Sequence, residues 1–552
     1  MSAITVNKQE LLKLVGKKLP DKELEHKLSM MGAPVDAMLE REVQVDIAPN
    51  RPDWLSAQGL ARSLSAFLGV RTGFREYRVA KEKYSVIVDS SVKGVRPFTV
   101  CAVIKGLKLD DEKIREIIQA QEKLHVTYFR NRKKGAIGVY PLDKITFPVR
   151  YAAKKPEDIV FVPLEATRQM NARQMLAQHP AGRAYAHLLE GQGKFPVFID
   201  AKGEVLSVPP IVNSQRTGKV GATTRDVFIE CSGFDLHTLR IVLNILVTMF
   251  ADMGGRIIAV DVQYSKKMTT PDLSPRKIKL DLDLVSSLLG LELKEAEAKK
   301  LLERMGFGYQ NKNVLVPAYR ADIMHQVDFA EDIAIAYGYD KLVPEMSQVA
   351  TIAAEDRFTA FQNSLANFLT GLGMLEAHTY HLTNIPAQTR AMNHKTEVIE
   401  LANALTVDYN ALRAWLLPGM IEVLKANRMK DYPQKLFSIG TVFQHNSRTP
   451  TQVAEPVMLS MVAAHPKADY TEIRQLAESL FRAVGVQVEF ADAEHGSFIP
   501  GRCANIKVGG HAIATLGEIH PQVLSNHGLE MPVAAAELNL TELFIHMTKG
   551  NI

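Results

Sequence analysis

The chain has 552 residues, with 66 Lys+Arg against 61 Asp+Glu for a formal net charge of +5, and is 46% hydrophobic and 23% charged. At roughly 100–200 residues per domain this length predicts about three to five folded units, and the composition excludes a largely disordered chain. So slight a positive charge admits a polyanionic partner such as RNA without pointing to one.

Cys101, Cys231 and Cys503 form an odd, widely spaced set that builds neither a disulfide framework nor a paired-cysteine metal knuckle, which favours a reducing compartment. The lysine-studded N-terminus lacks the apolar core of a signal peptide. The most apolar stretch, 241–251, is interrupted by Asn244 and Thr248, and a membrane span needs about 20 such residues. A cytoplasmic protein without a membrane partner is expected.

In chain order, Val43, Val45 and Ile47 alternate with polar residues, the period of a half-buried strand. The turn at Pro49–Asp53 stops it, and Leu60, Leu64 and Phe67 mark a helix that Asp53 is placed to cap. From about residue 97 strand-like segments alternate with helices up to the amphipathic stretch 237–255, as in a mixed α/β domain. A proline-containing linker follows at 266–276. Two short helices joined around Gly290 and a following strand suggest a helix-turn-helix-like module, but its lysines are balanced by acids and do not mark a DNA reader. After a second linker, 341–348, about 200 residues of α+β texture remain. No internal repeat stands out.

The segment 320–339 carries the most chemistry. On a helix from about 324 to 337, Asp328, Glu331 and Asp332 fall at i, i+3 and i+4 on one face, with Asp322 just before it. Such carboxylates repel one another, and a hard divalent cation such as Mg²⁺ relieves the repulsion. Equally, Asp322 serves as a cap and the other acids as complements to the helix dipole with no ion present. A basic run, Arg130, Arg132, Lys133 and Lys134, lies just after His125 and is either a solvated face or a contact for a phosphate backbone. Asn213, Ser214 and Asp235 sit at strand ends, where loops often line pockets.

Taken together, APNRPDWLSAQGLARSL, LHVTYFRNRKKGAIGVYPL, VLSVPPIVNS, YRADIMHQVDFAEDIAIAYGYD, NALTVDYNALRAWLLPGMIEVLKAN, KLFSIGTVFQ and PGRCANIKVGGHAIATLGEIHPQVL resemble the beta subunit of phenylalanine–tRNA ligase in its shorter archaeal/eukaryotic-like form, along essentially the whole chain. The resemblance implies a multidomain α+β chain with a small N-terminal α/β unit over 1–90. A mixed α/β domain that edits aminoacyl-tRNA is implied over 91–265, and a helix-turn-helix-like domain over 272–347. An antiparallel-sheet, class II synthetase-like domain without catalytic motifs completes it over 350–552. It implies an (αβ)₂ heterotetramer with an alpha subunit that holds the synthetic site, with tRNA and ATP as substrates of the assembled enzyme. It also implies a Mg²⁺ site at Asp322, Asp328, Glu331 and Asp332 shared with the alpha subunit, and hydrolysis of mischarged tyrosyl-tRNA in the middle domain, where Asn213, Ser214 and Asp235 are the pocket candidates. The last domain is expected to be silent because segments 437–444 and 516–521 lack the arginines that steady a nucleotide's phosphates. Arg413 and Arg502 read as structural. Other readings of the same chain are a non-catalytic tRNA-binding or assembly scaffold and a free-standing deacylase.

Overall fold

A computed structural model describes residues 2–346 and 353–549. The end of the second expected linker, the domain boundaries at 347 and 350, and residues 550–552 lie outside them. The chain divides after Met346 into two units, so the first three expected domains share one.

The first unit contains the same small module twice. In the first copy, strand Ser2–Asn7, helices Lys8–Val15 and Asp21–Met31, strands Val35–Met38 and Glu42–Ile47, and helix Ala57–Phe67 follow in order. In the second, strand Arg276–Lys279, helices Leu282–Leu289 and Glu295–Arg304, strands Gly308–Gln310 and Asn313–Val316, and helix Gln326–Tyr337 repeat that order. Each three-stranded sheet is antiparallel, with its last strand in the middle. The sequence shows no repeat because the copies share little beyond one Arg-x-Asp triplet, Arg51-Pro52-Asp53 and Arg320-Ala321-Asp322. Each triplet stands between the middle strand and the last helix.

The alternation at 42–47 folds as read, burying Val43, Val45 and Ile47. Asp53 does not cap the helix that follows. Ser56 does, accepting the Gly59 amide at 3.1 Å, while Asp53 is buried in an ion pair with Arg51. Gly59 is required here, since a Cβ would lie 1.8 Å from the Asp53 carbonyl oxygen.

Between the two modules runs a ten-stranded mixed sheet. It begins earlier than residue 91, because Val79–Val88 is a central strand, parallel to both Arg256–Gln263 and Val149–Lys154. It also reaches into the expected linker, where Lys267–Thr270 pairs with Arg256–Gln263. Helix Leu236–Asp252 buries Leu243, Leu246 and Phe250 in a core that continues into Leu60 and Leu64 of the first module and Leu302, Phe329 and Ile333 of the second. At about 1.5–3 kcal/mol for each fully buried large apolar side chain, this shared core holds the modules to the sheet.

In the second unit, seven strands form a sheet that is antiparallel except at one edge, where Leu375–Glu376 runs parallel to Gln434–Thr441. Helices Arg357–Gly371 and Tyr470–Ala483 share one core with the sheet, and Leu417–Ala426 and Pro521–His527 share another. Among the described residues no helix is long and apolar enough to cross a membrane, and all three cysteines are free and buried.

Candidate functional site

In the large sheet, strand Val227–Gly233 runs between Phe98–Lys105 and Gly135–Pro141. Its residues are fully withdrawn from solvent, and one of them, Glu230, is an acid at 1% exposure. Glu230 forms one wall of a cavity of about 220 Å³ that Ser207, Asn213, His125, Arg132 and His179 also line. Opposite Glu230 in register is Gly138. A Cβ at Gly138 would lie 2.6 Å from Glu230 Oε1 and 2.1 Å from the Tyr140 hydroxyl, so glycine keeps this space open.

The Tyr140 hydroxyl lies 2.8 Å from Ser207 Oγ, 3.2 Å from Glu230 Oε1 and 3.5 Å from Asn213 Oδ1. Glu230 Oε2 makes no hydrogen bond of standard geometry, and the neighbouring Ser232 hydroxyl only draws the carboxyl down weakly. Burial pushes the Glu230 carboxyl up to about 8, against the opposing pull of the Tyr140 hydrogen bond and the Arg96 charge. The group is therefore a neutral acid at pH 7, able to donate as well as accept. His125 is a fastener in the wall. Its Nε2 accepts the Ile137 amide at 2.8 Å while Nδ1 faces Glu122 at 3.3 Å, which fixes the proton on Nδ1. Burial lowers its pKa and keeps it neutral.

Of the three sequence candidates for this pocket, Asn213 lines the cavity. Ser214 is buried just beyond it, where Val212–Asn213 passes into helix Gln215–Gly218. Asp235 is elsewhere: it is exposed and caps helix Leu236–Asp252 through the Thr238 amide at 2.7 Å. The sequence reading missed Glu230, Tyr140 and Gly138. A glutamate set among Val227, Phe228, Ile229 and Cys231 was the available signal, since a lone acid in an apolar strand must be buried with a partner or a purpose.

The four acids of the second module line one cavity of about 710 Å³ but divide by role. Arg320 holds Asp322 in a two-point fork at 2.8 and 2.7 Å and reaches Asp332 at 2.6 Å. Burial alone would raise Asp322, yet the Arg320 charge, supported by Arg51, holds it at about 2. Burial prevails at Asp332 and raises it. Neither aspartate caps the helix. His325 stands at the cap, and Asp328 accepts the amides of Met324 and His325 at 2.6 and 2.7 Å. Glu331 is exposed on the same wall. Among the described residues, no three His, Cys, Asp or Glu side chains gather into a metal-ligating group. Asp328 and Glu331 are the two acids of the set that Arg320 does not hold, and a Mg²⁺ that keeps most of its waters calls for no more than one or two carboxylates.

In the second unit a cavity of about 360 Å³ is lined by Trp415, His495, Glu537 and Glu542, with no arginine or lysine on its wall. Glu537 accepts the amides of Leu416 and Leu417, both at 2.8 Å, and burial pushes it up to about 7. Arg413 donates to the carbonyls of Thr379 and Thr441, and Arg502 pairs with Glu518.

Residues 278–339 match the tRNA synthetase B5 domain family, and residues 343–540 match the family described as the phenylalanyl tRNA synthetase beta chain CLM domain. Phenylalanine–tRNA ligase beta subunits of Thermococcus sibiricus and Archaeoglobus fulgidus are each 38% identical to the chain over 99% of both lengths. That of Pyrococcus horikoshii is 38% identical over 99% of this chain and all of its own. The crystal structure of an N-terminal fragment of the Pyrococcus horikoshii phenylalanyl-tRNA synthetase beta-subunit superposes with a TM-score of 0.59 at 37% identity, over 61% of this chain and 99% of the fragment. The modules and the sheet between them are therefore the frame of an aminoacyl-tRNA ligase subunit. The chain belongs to the phenylalanine–tRNA ligase beta subunit family.

Proposed function

We propose that this chain works with an alpha subunit, as an (αβ)₂ enzyme in the cytoplasm, to attach phenylalanine to its tRNA using ATP, and that its own Glu230 cavity hydrolyses tyrosyl-tRNA made in error. The observation that carries the editing reading is Glu230 Oε2, free of any hydrogen bond of standard geometry, in a cavity kept open by Gly138. A phenol hydroxyl entering the cavity would pair with the Glu230 carboxyl, and phenylalanine would leave that carboxyl without a ligand partner. A site built to hydrogen-bond a hydroxyl rejects the analogue lacking it by about 10⁴–10⁵. Glu230, Tyr140 and Ser207 would orient the tyrosine ring, with Asn213 on the same wall. Ser214 supports that wall, and Asp235 is left to its helix.

The partnership rests on two features of the second unit, read as a class II synthetase-like domain. Its cavity wall carries acids where a nucleotide's phosphates need cations, so it serves assembly and ATP is handled by the partner. Tyr380, Leu405, Val407 and Tyr409 are apolar and exposed, as befits a surface that another subunit covers. Mg²⁺, when bound in the 710 Å³ cavity, would sit on Asp328 and Glu331 and complete its shell with water and partner groups. Asp322 and Asp332 answer to Arg320. In the assembled enzyme, Glu230→Ala should slow hydrolysis of preformed tyrosyl-tRNA at least 10²-fold while phenylalanylation continues. Undiminished hydrolysis would remove Glu230 from the site, and a wild-type complex that hydrolyses the ester no faster than buffer would favour the scaffold reading.

A further inference from the structure

One turn, 127–134, separates the Glu230 cavity from a second hollow, and its backbone sets it apart. Arg130, Asn131 and Arg132 are three successive side-chain-bearing residues at φ of +48°, +53° and +64°, a run found nowhere else among the described residues. Each such residue costs free energy, and strain of this kind persists where the surroundings hold it for a purpose.

The run separates the basic residues that the sequence shows as one cluster. Arg132 turns inward, donating to the carbonyls of Pro210 and Ile211 at 3.0 and 3.2 Å and to Glu122 at 2.9 Å. It becomes part of the cavity wall. Arg130 and Lys134 line the second hollow, about 400 Å³, together with Thr127 and the half-buried ring of Tyr128. Lys133 is exposed. Arg132 is ion-paired, whereas Arg130, Lys133 and Lys134 have no ion-pair partner among the described residues. The nearby Asp235 carboxylate is engaged by the Thr238 amide and hydroxyl.

Unpaired cations beside an aromatic face, fixed at the edge of a cavity, form the combination that binds single-stranded nucleic acid: charge for the phosphates and a ring for a base. We propose that Tyr128, Arg130, Lys133 and Lys134 guide the single-stranded 3′ end of the tRNA into the Glu230 cavity, with Tyr128 stacking on a base and the three cations on the phosphates. The assignment rests on the editing reading of that cavity. Arg132 acts as a positioning residue, tying the guide to the cavity wall.

The test uses the assembled enzyme with Arg130, Lys133 and Lys134 all changed to Gln, and separately Tyr128→Ala and Tyr128→Phe, each checked for an unaltered melting profile. Lys134→Gln alone replaces the triple variant should that one fail to fold. Three outcomes support the guide. KM for preformed tyrosyl-tRNA rises on the order of tenfold in the triple variant with kcat held, and more than KM for tRNA in phenylalanylation. The slope of log affinity against log salt for uncharged tRNA falls by about 2, three phosphates at roughly 0.7 each. Tyr128→Ala raises the hydrolytic KM at least about fivefold, and Tyr128→Phe, which keeps the ring, recovers most of it. An unchanged KM and slope would overturn the proposal, as would equal rises in both KM values, which make the turn a general tRNA contact. If the wild-type enzyme does not hydrolyse the ester, the editing reading fails by itself. The salt slope then still judges the RNA contact: a reduced slope supports it and an unchanged one refutes it.

Discussion

Arg320 and Asp332, twelve residues apart in sequence, meet at 2.6 Å inside the first unit with 3% and 4% of their surfaces exposed. The guanidinium also grips Asp322, so one cation neutralises half of the acid set that the sequence offers to a metal. Removing that cation strands a buried charge. Arg320→Met should destabilise the chain by about 3–5 kcal/mol in urea unfolding, and changing both stranded acids as well, Asp322→Asn and Asp332→Leu, should regain most of the loss. Failure of the triple variant to recover would mean that the Arg320 triad is not the unit of stability.

The same cluster has an acid limb. Asp322 is held at about 2, below the roughly 3.9 of an unfolded aspartate, so it contributes stability that is complete above about pH 4 and lost as pH falls toward 2. The gap in stability between wild type and Asp322→Asn should therefore close over that window in an acid titration followed by circular dichroism.

Glu230 has the opposite sign. Its folded value of about 8 lies above the roughly 4.3 of an unfolded glutamate, so its contribution is complete below about pH 4 and declines as pH rises through 8. Glu230→Gln, always neutral, should melt close to wild type at pH 5 and above it at pH 8.5. Equal melting temperatures at the higher pH would show that Glu230 is already ionised or well solvated at neutrality.

Gly138→Ala places a methyl against Tyr140 and Glu230. Overpacking of this kind costs about 1–3 kcal/mol, and the displaced hydroxyl network should abolish tyrosyl ester hydrolysis while leaving phenylalanylation within a few fold. Loss of both activities in proportion would indicate general unfolding.

Asp328→Asn with Glu331→Gln should lower Mg²⁺ bound to the assembled enzyme in equilibrium dialysis, whereas a chelator should leave the melting of the beta chain alone unchanged, because Arg320 already balances Asp322 and Asp332. Unaltered Mg²⁺ content would return Asp328 and Glu331 to helix capping and solvent.

What the sequence revealed and what it hid follow one physical line. Periodicity exposed Val43, Val45 and Ile47, and helical spacing put Asp328, Glu331 and Asp332 on one face, because both depend on neighbours along the chain. Asp53 and Ser56 are both cap-forming residues within one turn, and only the burial of Arg51 beside Asp53 decides between them. Spacing does not mark Arg320 as the counterion of the acids, because its second partner, Asp332, lies twelve residues further on. The duplicated module escaped notice because its copies share a topology and one triplet, not a composition. Glu230 stands out in its strand as a lone acid, but its role is hidden because Tyr140 and Gly138 come alongside it only by pairing across the sheet.

The way the large sheet is threaded has a consequence for how the chain can be taken apart. Val79, where the chain enters the sheet, lies beside Ile257, and Thr270, where it leaves, lies opposite Val260 of that same strand. Entry and exit thus share a doorway, as they do in a cassette spliced into a host. Residues 79–270 could therefore be exchanged as one block for the same block of a relative, provided the face of helix Leu236–Asp252 that packs on both modules is kept.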